Sequence, residues 1–307
     1  MTEQIVCRVL TGPTASGKTA LGVRLAKEEG WEILCMDSMQ IYRRMDIGTA
    51  KPTAEERQGV PHHLLDLCEP TENYSVSQWR DEAERLILKL HEHGRKFLLV
   101  GGTALYLQAL MHPMAMGSVP ANIALRGELN AQAETLDGRR ALHDRLAGID
   151  PETASKLPVN DVRRVIRAIE VFEATGIPFS RQPMRETESD AKMIWKVVST
   201  QMDRTVLYDR INRRVTEMIR KGLKDEVASL LAEGVTQDCQ SMCGLGYKEM
   251  IPCVQGLYNL DDAAEKIRIG TRHYAKRQMT FLRREESVRY VRSDLDGAYK
   301  EIRDILL

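Results

Sequence analysis

Apolar and polar residues follow two alternating periodicities over the first third of the chain. Ile5 to Leu10 is a short apolar run ending at Thr11-Gly12-Pro13, which predicts a buried strand followed by a turn. Leu21 and Leu25 share one helical face, and a second apolar run, Ile33 to Met36, stops at Asp37. Ser75-x-x-Gln78 predicts a capping box, and Gly94 suits the position just past a helix C-terminus. Between them Val76, Trp79, Ala83, Leu86, Ile87 and Leu90 recur at spacings of three and four, a stripe fit to pack on a sheet. Phe97 to Val100 is a third predicted strand and ends at Gly101-Gly102-Thr103. Strands alternating with helices predict an α/β fold with a mainly parallel sheet.

The pattern then changes. From about Gly117 to Glu186 only helical periodicity is present, broken by Pro120, Pro151, Pro158 and Pro178. Met193 to Ser199 restores a strand, and helices dominate the remainder. The expected organisation is a core formed by residues 1–117 and 188–307, with a helical insertion domain over 118–187.

Composition narrows the class. The 307 residues are 43% hydrophobic, and 44 Lys+Arg balance 44 Asp+Glu. A net charge of zero excludes a uniformly basic nucleic-acid coat but allows a local basic face. No run approaches the roughly 18 apolar residues of a membrane span. Met1 to Val6 carries Glu3 and lacks the features of a signal peptide. Six cysteines without a Cys-x-x-Cys pair read as reduced thiols, so a soluble, cytoplasmic protein with no membrane contact is expected.

Gly12-Pro13-Thr14-Ala15-Ser16-Gly17-Lys18-Thr19 matches Gly-x4-Gly-Lys-[Ser/Thr], directly after a predicted strand and opening a predicted helix. Such a P-loop cradles a di- or triphosphate with backbone N–H groups at a helix N-terminus. Lys18 can neutralise phosphate oxygens, and the Thr19 hydroxyl can ligate Mg²⁺. Ligands of open α/β sheets bind beyond the carboxyl ends of the strands, so Asp37 and Thr103 should face the same crevice. Three roles suit Asp37: Mg²⁺ ligand, general base, or cap of the turn Asp37-Ser38-Met39-Gln40. Thr103 also suits the cap of a helix from Ala104 to Met111.

A basic face lies near the C-terminus. Lys266 to Arg292 holds nine Lys/Arg against two acids, Glu285 and Glu286. On a helix, Arg272, Lys276 and Arg283 fall within roughly 40° of one another, flanked by His273, Arg277 and Arg284. Tyr274, Met279, Phe281 and Leu282 take the opposite side. The face suits a phosphate backbone or a bound diphosphate. Arg163, Arg164 and Arg167 form a smaller cluster after Asn160-Asp161. His62-His63 lacks a second pair of ligands at metal spacing, so a structural role is expected. In Met242-Cys243-Gly244-Leu245-Gly246-Tyr247-Lys248 the glycines allow close backbone approach, and Tyr247 can stack on a base; a plain loop explains the segment equally well.

Taken together these residues resemble the tRNA dimethylallyltransferase (tRNA isopentenyltransferase) family. The matching strings are Gly12 to Thr19, Asp37 to Tyr42, Met45-Asp-Ile-Gly-Thr-Ala-Lys-Pro52, Pro61 to Asp66 and Val100 to Tyr106. Asn160 to Arg164, Gly244-Leu-Gly-Tyr-Lys248 and Thr271-Arg-His-Tyr-Ala-Lys-Arg-Gln278 complete them. One departure is Leu157-Pro158-Val159 ahead of Asn160-Asp161, where the family more often has His-Pro-Asn-Asp.

The resemblance implies transfer of a dimethylallyl group from dimethylallyl diphosphate to N6 of the adenosine 3′ of a tRNA anticodon. Under it, the phosphate loop holds the isoprenoid diphosphate instead of ATP, and Asp37 accepts the N6 proton near Thr103. Lys18, Thr19, Mg²⁺ and either Arg210 or Arg214 stabilise the departing diphosphate. Asp37, Ser38, Met39, Gln40, Thr103 and Arg126 hold the target nucleotide and its neighbours, with the adenine extruded from its stack. Asp161, Arg163, Arg164, Gly244, Gly246, Tyr247, Lys248, Arg272, Lys276, Arg277 and Arg283 are the further tRNA contacts implied, and the insertion grips the anticodon stem. A monomer is expected. The main rival reading is an ATP-dependent P-loop kinase, which gives the basic helix no role; a second is a nucleotide-regulated RNA-binding module without catalysis, against which Asp37 beside the phosphate loop argues.

Overall fold

Ile5–Thr11 forms strand β1, and the phosphate loop connects it to helix α1 (Lys18–Glu29). The computed structural model describes residues 4–112, 119, 121–183 and 192–307. Strand β2 (Glu32–Cys35), helix α2 (Ala54–Arg57), strand β3 (His62–His63), helix α3 (Val76–Glu92), strand β4 (Phe97–Val100) and helix α4 (Ala104–Met111) follow. After helices α5 (Ile123–Gln132), α6 (Leu136–Ile149), α7 (Pro151–Lys156) and α8 (Val162–Thr175), strand β5 (Met193–Gln201) returns. Helices α9 (Arg204–Arg220), α10 (Leu223–Ala232), α11 (Tyr247–Val254) and α12 (Leu260–Leu282), strand β6 (Val288–Arg292) and helix α13 (Ala298–Leu306) complete the chain.

The strands form one parallel sheet in the order β3-β2-β4-β1-β5-β6. β1 lies between β4 and β5, in register Val9 to Leu99 and Val9 to Val197. Central parallel strands are covered on both faces, which is why β1, β2 and β4 read as apolar runs without alternation. The carboxyl ends of β1, β2, β4, β5 and β6 open on one edge, where a doubly wound sheet binds its ligand.

Contacts divide the chain into two units, Met1–Met111 with Glu188–Leu307, and His112–Thr187. The expected limits at 117/118 and 187/188, and the break at Pro120, lie outside the described residues. The second unit carries α5 to α8 around Leu129, Leu142, Leu146, Val165, Ile166 and Ile169, with no strand among its described residues. Within it Asp150 is buried and accepts from Thr153 N (3.0 Å) and Ser180 N (2.8 Å) and from both hydroxyls. Burial opposes its ionisation, but these four hydrogen bonds outweigh burial and bring its carboxyl down to about 2. Among the described residues no helix is long and apolar enough to cross a membrane.

Helix α3 starts as its capping box predicts, with Ser75 Oγ accepting from Gln78 N and Gln78 Oε1 accepting from Ser75 N (2.9 Å). Its inner stripe is not purely apolar: Arg80 and Glu84 are buried in it as an ion pair (2.5 Å). Strand β6 carries no apolar run to predict it, because Val288-Arg-Tyr-Val-Arg292 is an edge strand whose arginines stay exposed. The cationic stretch from Lys266 to Arg292 is therefore not one helix. It is α12, capped at Arg283, followed by that strand.

Tyr247 lies in the core rather than in position to stack on a base. It is 0% exposed, it packs against Gly48, and its hydroxyl donates to Glu226 Oε1 (2.7 Å). Glu226 also accepts from the backbone N–H groups of Asp46 (2.9 Å), Ile47 (2.8 Å) and Gly48 (3.1 Å). This carboxylate thus joins two strings that matched the family, Met45 to Pro52 and Gly244 to Lys248. Gly244 and Gly246 are buried in the same packing, and Lys248 remains exposed. In the first string Lys51 is buried and ion-paired to Asp46 (2.7 Å) and Asp66 (2.6 Å). Replacing Tyr247 by Phe removes a hydrogen bond to a charged acceptor. It should lower the unfolding free energy by about 1–3 kcal/mol, read by denaturant titration.

Candidate active site

The phosphate loop is held from behind by three elements. A Cβ at Gly12 (φ +136) would lie 2.2 Å from Thr200 Oγ1, so only glycine lets β1 turn against the end of β5. Ser16 Oγ lies 2.6 Å from Thr200 Oγ1, and Thr200 Oγ1 reaches Thr11 O at 3.2 Å. Thr14 N donates to Gln278 Oε1 (2.9 Å), and Ser16 N to Pro13 O (3.3 Å). These two N–H groups are therefore turned into the protein, and the Ser16 hydroxyl is buried with them. Ala15, Gly17, Lys18 and Thr19 keep N–H groups without a protein acceptor among the described residues. Ala15 stands at φ +63 and Gly17 at φ +88. Alternating left- and right-handed residues form a concave anion nest of this kind.

Lys18 is half-buried, with its ammonium donating to Pro13 O (3.2 Å). Burial lowers its pKa to about 8; the Arg214 guanidinium adds to the shift and Asp37 opposes it. Arg214 and Arg210 stand one turn apart on α9. Arg214 Nη2 reaches Thr49 O at 3.5 Å, and burial lowers its pKa while Asp37 and Glu56 oppose the shift. Arg210 Nη2 would lie 3.3 Å from a Cβ placed at Gly17. Both arginines thus border the phosphate loop, Arg214 on the Asp37 side and Arg210 beside Gly17.

At the end of β2, Asp37 Oδ1 accepts from Met39 N (2.9 Å) and Gln40 N (3.4 Å). The turn-capping role is present, and it uses one oxygen. Oδ2 accepts no hydrogen bond among the described residues. Ser38 N donates to Thr103 Oγ1 (3.0 Å), joining the ends of β2 and β4. A Cβ at Gly101 would lie 1.9 Å from Met36 O, so this junction requires glycine. Thr103 accepts the first α4 amides through its carbonyl, and its side chain is left for Ser38. Gln40 Nε2 donates to Thr49 O (3.2 Å) and Ala50 O (3.3 Å), and Met39 packs on Gly244.

Helix α12 differs from its expected reading on both sides. Arg272 is not a free surface cation: its Nη2 donates to Asn212 Oδ1 (2.8 Å) of α9 and its guanidinium faces Tyr208. Lys276, Arg277 and Arg283 are exposed. The side assigned to apolar packing carries Tyr274, whose hydroxyl lies beside the side chains of Thr103 and Gln278, and burial together with Asp37 keeps that hydroxyl protonated. Gln278 is 4% exposed, and its Nε2 donates to Gly102 O (2.7 Å). The sequence marks neither Gln278 nor Thr200: a single amide inside a cationic helix and a single hydroxyl at the end of strand β5 carry no periodic signal.

In the second unit Arg126 is bound by Glu170 through Nε and Nη2, both at 2.8 Å, and Arg167 shares that buried carboxylate (2.5 Å). Arg164 is paired with Asp161, so neither of these charges stands free, whereas Arg163 is exposed without a described partner. His62 Nδ1 lies 2.8 Å from Val60 O, and His63 Nε2 lies 2.5 Å from Glu32. Among the described residues no cluster of three His, Cys, Asp or Glu could hold a metal ion.

The model of a family described as IPP transferase matches residues 40–285. The chain is similar to the tRNA dimethylallyltransferase of Halalkalibacterium halodurans, at 45% identity over 94% of this chain and 90% of that protein. The enzyme of the same name from Pelotomaculum thermopropionicum is also 45% identical, over 96% and 94%. A full-length tRNA isopentenylpyrophosphate transferase from Bacillus halodurans superposes with a TM-score of 0.70 at 42% identity, covering 99% of this chain and 95% of that one. A eukaryotic dimethylallyltransferase acting on tRNA superposes with a TM-score of 0.77 at 25% identity, over 97% and 77%. The phosphate loop and Asp37 fall ahead of the matched span, but inside the sequences these relatives share with nearly the whole chain. On both grounds, the chain belongs to the tRNA dimethylallyltransferase (IPP transferase) family.

Proposed function

We propose that this enzyme transfers the dimethylallyl group of dimethylallyl diphosphate to N6 of the adenosine 3′-adjacent to a tRNA anticodon, releasing diphosphate. The observation that carries the reading is Asp37, a carboxylate with one oxygen anchored by its own turn and the other free, beside the Lys18 and Arg214 cations of a phosphate loop. As the bond from N6 to C1 of the isoprenoid forms, the C1–O bond breaks and its electron pair leaves with the diphosphate. The N6 proton goes to Asp37 Oδ2. Lys18, Arg210, Arg214 and the free loop amides stabilise the charge on the departing group. The base and the leaving-group cradle sit at the ends of different strands, Asp37 after β2 and the phosphate loop after β1.

A Mg²⁺ ion suits the same place. Thr19 is exposed on the first turn of α1, and its hydroxyl makes no hydrogen bond among the described residues. No ready-made carboxylate cluster surrounds it among the described residues, so the ion would be held by Thr19 together with diphosphate oxygens and water, as Mg²⁺ prefers. When bound, it supplies charge neutralisation for the diphosphate. The tRNA is held by the exposed cations Lys276, Arg277, Arg283 and Lys248, and by Asp37 to Gln40 and Thr103 around the extruded base. Arg163 of the inserted unit faces the anticodon-stem backbone, and Arg126 acts from its seat on Glu170. A tRNA substrate implies the cytoplasm.

The test is transfer of label from dimethylallyl diphosphate to unmodified tRNA, beside a tube with labelled ATP. Label in tRNA, reduced about 10²–10⁴-fold in Asp37→Asn with tRNA affinity retained, is the expected result. Phosphate released or transferred from ATP, with no label in tRNA, would overturn the reading.

Lys18 gives a pH prediction. Its pKa of about 8 in the free protein rises when an anionic diphosphate binds, so binding takes up protons near pH 8 and weakens as pH rises through it. Calorimetry with diphosphate in buffers of different ionisation enthalpy reads the uptake directly, and Lys18→Met should abolish it.

For the basic helix, Lys276→Glu with Arg283→Glu should weaken tRNA binding. Filter binding across a salt series should show the slope of log affinity against log salt falling by about 1 for each phosphate that is no longer neutralised. An unchanged slope removes these two side chains from the interface.

A further inference from the structure

Gln278 touches both the phosphate loop and the turn after β4. Both ends of its amide are engaged: Oε1 accepts from Thr14 N (2.9 Å) and Nε2 donates to Gly102 O (2.7 Å). The fit is close, since a Cβ at Gly102 would lie 2.3 Å from Nε2. Gly102 precedes Thr103, which holds Ser38 N beside Asp37. Through one buried amide the cradle for the leaving group is therefore tied, by two bonds in series, to the Gly101–Thr103 turn, and the Thr103–Ser38 bond carries the tie on to the turn that holds the base.

We propose that Gln278 is a positioning residue for prenyl transfer: it sets the phosphate loop at a fixed distance from the Gly101–Thr103 turn and turns Thr14 N–H away from the cradle. With that amide turned inward, the nest left for the diphosphate is built from Ala15, Gly17, Lys18 and Thr19. Losing the tie frees the loop to rotate, which exposes a different set of donors and moves the leaving group relative to Asp37. Gln278 is buried, with both ends of its amide on protein partners, so it acts through the groups it holds. This inference rests on the transfer reading above, yet one of its two readouts, affinity for inorganic diphosphate, does not need tRNA.

Two variants of the full chain test it. Gln278→Met keeps the length and loses both hydrogen bonds. It should bind inorganic diphosphate with Mg²⁺ about tenfold more weakly and lower kcat by on the order of 10²-fold, the scale of an ångström misplacement, with tRNA affinity unchanged. Gln278→Glu keeps the acceptor for Thr14 N and can donate to Gly102 O only when protonated. Its activity relative to the parent should therefore rise as pH is lowered, a trend that a purely structural role would not produce. A folded Gln278→Met with parental kcat and diphosphate affinity overturns the proposal, and so does a loss confined to tRNA affinity. Should Gln278→Met fail to fold, Gln278→Glu decides, and a relative activity flat with pH overturns it. Failure of the parent chain to label tRNA overturns the transfer reading instead, and the diphosphate titration still reports on the tie.

Discussion

The site depends on bringing two anionic groups, a diphosphate and a carboxylate base, close together while keeping their environments apart. A phosphate loop alone attracts anions through its N–H groups and helix N-terminus. Asp37 next to it would be repelled by the substrate unless cations stood between them. Lys18 and Arg214 are the cations beside Asp37: Lys18 senses both Arg214 and Asp37, and Arg214 senses Asp37 and Glu56. Two cations next to each other in a half-buried crevice are themselves costly, and the depressed Lys18 shows that cost. The diphosphate relieves it. The site is thus least comfortable when empty, and binding of the diphosphate removes that cost.

That arrangement needs a rigid frame, and the frame consists of short hydrogen bonds between strand ends rather than of charge. Thr200 anchors Ser16, Thr103 anchors Ser38, and Gln278 bridges Thr14 and Gly102. Each is buried or half-buried, where a neutral hydrogen bond is stronger and a missing partner more costly than in water. Gly12 and Gly101 belong to the same frame, because a side chain at either would push the strand ends apart.

How much of this could be read from residues alone follows from what each interaction demands of its sequence. The strands β1, β2 and β4 are buried on both faces and must be apolar throughout, so they were visible. The α3 cap is visible for a similar reason: Ser75 and Gln78 satisfy each other at a fixed spacing. The phosphate loop, Asp37 and Thr103 stand at strand ends, and topology alone brings them together. What stayed hidden is long-range or two-sided. Strand β6 is charged because one face is in water. Tyr247 looked available because nothing local marks its partner Glu226, 21 residues away. Arg272 sat in the cationic stripe, yet Asn212 of another helix takes its guanidinium. Gln278 is separated from Thr14 by 264 residues, and a single amide has no periodicity to betray it.

Helix α12 shows why a stripe of charge is an incomplete description of an RNA-binding element. Its outer face bears Lys276, Arg277 and Arg283, which attract a phosphate backbone at long range and without sequence preference. Its inner face bears Gln278, which joins Gly102 and the phosphate loop through directional hydrogen bonds, and Tyr274, which lies beside Thr103. One rigid helix therefore carries the surface where the macromolecular substrate docks and the supports of the groups that react with it. A helix cannot shift its cations by an ångström without moving its amides by as much. Docking geometry and reaction geometry are then a single constraint, and the register of α12 against β1 and β4 fixes both.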